Sequence, residues 1–226
     1  MFDCHAHILS ADTDRFPPFR PSPESINYLK ANAFEYQDLL SAMDANGVEA
    51  GLIVQRGQFY GPDNRYVIWA AQQSEGRLNA VCGLNSMAED CASSGRDLLS
   101  QGAVGLRLMG PPKQERIDWL CGENARLVWA LCASEGVPLC VHLFPEARSN
   151  GLTAIYGLLK EFPVLTLVID HLGNGPITGA EDPGIDDTLR RVMEAENVAL
   201  KFTTIPLGQL KARSICASSV IAAYLK

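Results

Sequence analysis

LTLVIDH, residues Leu165 to His171, is a short, nearly unbroken apolar run that closes on an acid and a histidine. A strand of that kind fits a parallel sheet covered on both faces, where little alternation between apolar and polar positions is left. Six more β-rich runs flank it: Phe2 to Ile8, Glu49 to Gln55, Leu78 to Leu84, Ala103 to Met109, Pro138 to Leu143 and Asn197 to Thr203. Stretches of helical spacing follow them in turn. These are Glu35 to Asn46, Asp63 to Ser74, Glu89 to Gln101, Asp118 to Glu135, Leu152 to Glu161, Asp186 to Glu196 and Leu210 to Tyr224. Strict alternation of strand and helix predicts parallel strands joined by right-handed crossovers, hence an α/β barrel or a doubly wound sheet. Asn46-Gly47, Glu75-Gly76, Gln101-Gly102 and Glu135-Gly136 punctuate the pattern as helix stops. The long irregular stretches Ser10 to Ala33, Arg56 to Pro62, Gly110 to Ile117 and Gly173 to Asp186 each follow a strand end, the position of pocket-forming loops in such barrels.

The 226 residues are 47% hydrophobic and 20% charged, a composition that predicts one globular domain over 1–226. The length falls slightly below the roughly 250 residues usual for eight βα units. A net charge of −7 argues against nucleic acid or an anionic membrane as partner and favours a small molecule, a carboxylated metabolite included. Seven cysteines, an odd number without C-x-x-C spacing, read as reduced core thiols. With no signal-like N-terminus and no run of about 18 apolar residues, the expectation is a cytoplasmic protein.

The chain has four histidines. His5 and His7 lie two apart on a strand, so both project to one face, where they suit either a shared metal ion or a pair of hydrogen-bonded structural rings. His142 and His171 each end a different strand. Four placements of this kind are improbable by chance, which points to chemistry at the mouth of the barrel. Arg107, near the end of the fourth strand, suits a substrate carboxylate or a rim salt bridge. Gln55 and Tyr60, after the second strand, are candidate donors to substrate oxygens or plain loop residues. Lys201 alternates with Leu200 and Phe202 and so faces inward, where it requires an ionic partner; Asp170 should point away from His171.

The stretches FDCHAHI at 2–8, VHLFP at 141–145 and VIDHLGNGP at 168–176 resemble the amidohydrolase superfamily. The likeness is to the branch that contains 2-pyrone-4,6-dicarboxylate lactonase and sugar lactonases. DRFPP at 14–18, VQRGQFYGPDNR at 54–65, GAVGLRL at 102–108 and NVALKF at 197–202 are similar to the same branch, so the likeness runs nearly end to end. It implies a TIM-type (β/α) barrel, a divalent metal ion, zinc or manganese, held by His5, His7 and His142, and His171 as a second ligand or proton carrier. Arg107, Gln55 and Tyr60 would face the substrate, a lactone or related cyclic ester of a small carboxylated metabolite. Two other readings stand beside this one: a metal-dependent decarboxylase, and a silent barrel that binds or assembles. The superfamily pattern also has an eighth strand bearing an aspartate, and no β-run follows the seventh helix here. The expectation is therefore seven βα units with the eighth strand missing, through C-terminal truncation or an open barrel whose edges favour homo-oligomers.

Overall fold

The computed structural model describes residues 1–225, and the chain divides into two compact units. The first holds Met1–Asn85 and Ser93–Arg107. Its strands are β1 (Phe2–Ala6), β2 (Ala50–Val54), β3 (Leu78–Gly83) and the part of β4 (Ala103–Met109) that reaches Arg107. Neighbours in chain order pair in parallel: Asp3 faces Gly51, Ile53 faces Ala80 and Cys82 faces Leu106. The β1–β2 register shifts between Asp3 and Ala6, an irregularity that falls on His5. Helices α1 (Pro23–Ala31), α2 (Tyr36–Ala45), the short α3 (Gly57–Tyr60), α4 (Arg65–Gln73) and most of α5 (Cys91–Ser100) lie between the strands. On α4 the buried Tyr66, Val67 and Ala70 form the stripe that packs against β2 and β3.

The second unit holds Ser86–Ala92 and Leu108–Lys226. In it β5 (Leu139–His142), β6 (Leu167–Ile169) and β7 (Val198–Leu200) pair in parallel, with Cys140 opposite Val168 and Val168 opposite Ala199. Every residue of β5 is buried, as a strand covered on both faces requires. Its helices are α6 (Asp118–Cys121), α7 (Glu123–Glu135), α8 (Arg148–Glu161), α9 (Asp187–Met193), α10 (Thr204–Ala212) and α11 (Ala217–Tyr224). Helix α7 buries Ala125, Val128, Trp129 and Cys132, one face at helical spacing, and ends on Gly136 in the left-handed region at φ 65°. Each fully buried Leu or Ile side chain of this core contributes about 1.5–3 kcal/mol of transfer free energy.

All seven predicted strands are present, and their parallel pairing within each unit follows from the helices that connect them. Several helix bounds differ from the sequence reading. The stretch Ser10 to Ala33 contains α1, whose start is fixed by Ser22 and Ser25 bonding reciprocally across Pro23 at the first turn. The predicted helix Asp118 to Glu135 breaks at Gly122, where an added Cβ would sit 2.6 Å from the Asp118 carbonyl oxygen. Leu210 to Tyr224 is likewise two helices, α10 and α11. No helix among the described residues is long and apolar enough to cross a membrane.

The seven cysteines are free thiols, four of them buried: Cys82, Cys91, Cys132 and Cys140. Burial pushes the Cys82 and Cys132 thiols up to about 12, whereas a hydrogen bond from Ser218 lowers the exposed Cys216. A thiolate is the reacting form, so Cys216 should titrate first with a disulfide reagent on the native protein. The four buried thiols should react only on unfolding. Fast labelling of Cys82 or Cys132, read by peptide mapping, would contradict this packing.

Candidate active site

Each unit presents one histidine pair. In the first, β1 ends at Ala6 and the Asp3 carboxylate accepts from the His5 amide at 2.9 Å, which holds the irregular end of the strand. His7 places Nδ1 2.7 Å from the Val54 carbonyl at the end of β2. A carbonyl only accepts, so His7 carries its proton on Nδ1 and presents Nε2 as a lone pair. That Nε2 lies 3.3 Å from Nε2 of His5, with the rings edge to face at 81°. Two nitrogens about 2.0–2.1 Å from one tetrahedral ion stand about 3.3 Å apart, so the spacing fits a pair of ligands on a single metal. The second hydrogen bond of His7, to a backbone carbonyl, is the orienting contact that metal-binding imidazoles characteristically make.

Electrostatics favour the neutral ligand form. Burial first, then the neighbouring His5, lowers the His7 pKa from 6.5 to about 3, against the raising effect of the Val54 bond. Arg107 and Arg56 lower it further. Arg107 is buried on β4, 5% exposed, within electrostatic reach of His7. The other two predicted substrate contacts support the loop after β2. Gln55 donates to the Gly61 and Asp63 carbonyls at 2.6 and 3.3 Å. Its side chain lies so close to Gly83 that a Cβ there would come within 2.6 Å of Oε1. The buried Tyr60 hydroxyl accepts from the Ser10 amide at 2.9 Å. Glu35 completes this loop clamp, receiving the Ala11 amide, the Ser10 hydroxyl and the Tyr66 hydroxyl.

In the second unit His142 ends β5, and its ring meets that of His171 at 4.9 Å and 79°. His171 reaches it by an unusual backbone. Strand β6 stops at Ile169, and His171, Leu172, Gly173 and Asn174 all have positive φ, between 53° and 70°. Strand alternation would send Asp170 and His171 to opposite faces. The left-handed turn overrides it: a carboxylate oxygen of Asp170 and a ring nitrogen of His171 lie within 4.8 Å of each other, Asp170 pairing with Lys201 and His171 Nδ1 sitting 2.6 Å from Thr203 Oγ1. Lys201 Nζ lies 3.4 Å from Asp170 and 3.7 Å from Cys140 Sγ, so the inward lysine finds the ionic partner that its burial demands.

A non-glycine residue in the left-handed region costs on the order of 1 kcal/mol, so a run of them needs external support. It has four supports. The Leu172 amide donates to the Lys201 carbonyl at 3.0 Å, Asn174 donates to the Leu143 carbonyl at 2.6 Å, and Arg148 Nε donates to the Gly173 carbonyl at 3.0 Å. Thr203 is the fourth. Arg148 is itself buried, and its other donors go to the Gly184 carbonyl and the Asp186 carboxylate. Thr203, Arg148 and Asn174 escaped the sequence reading because each acts across 25 to 32 residues of chain. Only the placement of Thr203 two residues after the inward Lys201 hinted at its direction.

The family model described as amidohydrolase matches residues 2–213. A 4-sulfomuconolactone hydrolase from Hydrogenophaga intermedia is 26% identical over 214 residues, covering 89% of this chain and 62% of that protein. The chain thus spans less than two thirds of the length of this curated relative. Among solved structures, a probable 2-pyrone-4,6-dicarboxylic acid hydrolase from Acinetobacter baumannii, with citric acid bound, superposes with a TM-score of 0.62 at 22% identity. That match covers 99% of this chain and 75% of the other. A zinc-bound amidohydrolase from Burkholderia multivorans gives 0.63 at 16% identity over 99% and 76%. A TIM-barrel protein from Bordetella bronchiseptica gives 0.61 at 16% over 91% and 76%. These likenesses establish the fold, α/β of the TIM-barrel type.

The depressed His7 pKa has a consequence for stability in the metal-free chain. The unfolded chain binds a proton on this residue near 6.5 and the folded chain only near 3, so the contribution of neutral His7 is complete above 6.5. It is lost progressively as pH falls from 6.5 towards 3. Replacing His7 by Gln should flatten the decline of Tm over that window relative to the parent; parallel curves would show that His7 is not held neutral.

Proposed function

We propose that this chain, which belongs to the amidohydrolase family, hydrolyses a lactone or related cyclic ester of a small carboxylated metabolite with the help of a divalent metal ion. The observation that carries the metal assignment is the pair of Nε2 atoms at 3.3 Å, with the His7 tautomer fixed by Val54. The lactone assignment is supported by the relatives named for muconolactone and pyrone-dicarboxylate hydrolysis. Under this reading His5, His7 and His142 hold the ion, zinc or manganese. Bound there, it would polarise the ester carbonyl and make water acidic enough to supply hydroxide near neutral pH.

The chain's own residues do the rest. Arg107 binds the substrate carboxylate through its planar fork of donors and so orients the ring. Addition of water to the carbonyl, one of its protons passing to a base, and rupture of the ring C–O bond leave a carboxylic acid and an alkoxide that needs a proton; the acid ionises on release. His171, the one ring delivered by a strained turn, takes the proton from the water and returns it to the alkoxide oxygen. Burial of Arg107 and His171 limits competing water around these groups. The reducing cytoplasm is the compartment in which seven free thiols persist.

A panel of carboxylated lactones, followed by loss of ring absorbance and by acid release, tests the reading. His5→Ala with His7→Ala should remove stoichiometric metal and lower kcat/KM by on the order of 100-fold or more. His171→Asn should keep the metal and lower kcat by about 10²–10⁴-fold. Metal-free protein whose turnover ignores both changes would refute the assignment. Release of carbon dioxide in place of a ring-opened acid would identify a decarboxylase.

A further inference from the structure

Thr203 stands at the N-cap of α10, with extended backbone angles of φ −132° and ψ −174°, the position where a threonine hydroxyl ordinarily accepts a hydrogen bond from the first helical turn. Here the hydroxyl makes no capping bond. It points instead to His171, with Oγ1 2.6 Å from Nδ1. Forgoing a cap costs about 0.5–2 kcal/mol, and the left-handed backbone of His171 adds a further cost of similar order. Two local preferences are therefore sacrificed at the two ends of one side-chain hydrogen bond.

We propose that Thr203 is a positioning residue: its hydroxyl oxygen accepts the Nδ1 proton of His171 and so fixes the tautomer in which proton exchange takes place at Nε2. The inference rests on the reading of His171 as the proton carrier and adds to it the nitrogen used and the group that selects it. A hydroxyl released from its cap offers its oxygen as the acceptor that an Nδ1–H requires, and a ring protonated at Nδ1 presents its lone pair on Nε2.

With four histidines in the chain, the tautomer is directly observable. The 226-residue chain, labelled with ¹⁵N-histidine, gives one two-bond proton–nitrogen pattern per ring, and His171→Gln identifies the one that belongs to His171. In the parent protein and in Thr203→Ser, that pattern should be of the form protonated at Nδ1. Thr203→Val, nearly the same shape without the hydroxyl, should shift it towards the Nε2-protonated form. In kinetics Thr203→Val should lower kcat about 10–100-fold, with KM and metal content within two-fold, and Thr203→Ser should recover most of the loss. An unchanged pattern in a folded Thr203→Val protein overturns the proposal, as does an Nε2-protonated parent. If the tautomer shifts as expected while His171→Gln stays fully active, Thr203 still positions the ring and it is the proton-carrier reading that fails.

Discussion

Lys201 and Asp170 are both withdrawn from water, at 4% and 0% exposure, and neither could be accommodated there alone. Removing an isolated charge from solvent costs several kcal/mol even after relaxation, and only a close counter-charge offsets it. The pair joins the end of β7 to the first residue beyond β6, and the backbone repeats the connection: the Lys201 amide donates to Ile169 and its carbonyl receives the Leu172 amide. That double tie decides where β6 stops. Once Asp170 is committed to Lys201, the chain must turn immediately, and His171 is delivered to His142 by a left-handed turn and not by continued extension.

The periodic part of this architecture was legible in the sequence. Apolar runs such as Leu165 to Ile169 and the alternation of strand and helix are local properties, and they located all seven strands. The inward direction of Lys201 followed from two-residue alternation, and its need for an ionic partner from elementary desolvation. Alternation misled at Asp170 and His171 because it holds only while the backbone stays extended. Nothing short-range in DHLGN announces four successive positive φ angles; that conformation is imposed by Lys201, Thr203, Arg148 and the Leu143 carbonyl, all distant in sequence. Helix α1, by contrast, has a local start signal in Ser22-Pro23 and Ser25, but the surrounding prolines and aromatics made 10–33 read as irregular.

The two histidine pairs are built on different physical terms. His5 and His7 owe their arrangement to strand geometry and to one carbonyl: Val54 dictates which nitrogen of His7 is a lone pair, and burial keeps the ring neutral. This is the state in which an imidazole binds metal without first expelling a proton. His142 and His171 owe theirs to a strained turn and a hydroxyl drawn away from a helix cap. A neutral His7 with a fixed lone pair beside His5 suits a resident ion. A ring held by a hydroxyl suits the proton exchange proposed for His171.

Arg148 gives the segment after His171 an unequal tolerance to change. Its three nitrogens end at Gly173, Gly184 and Asp186, and Tyr224 adds a bond to Pro183, so both ends of the segment are moored to the body of the unit. Between the moorings lie Ile177, whose side chain is buried, and a self-contained turn in which Thr178 and Gly179 bond to Asp182. Length and side chains at 178–182 can thus change through evolution without loosening the turn that holds His171.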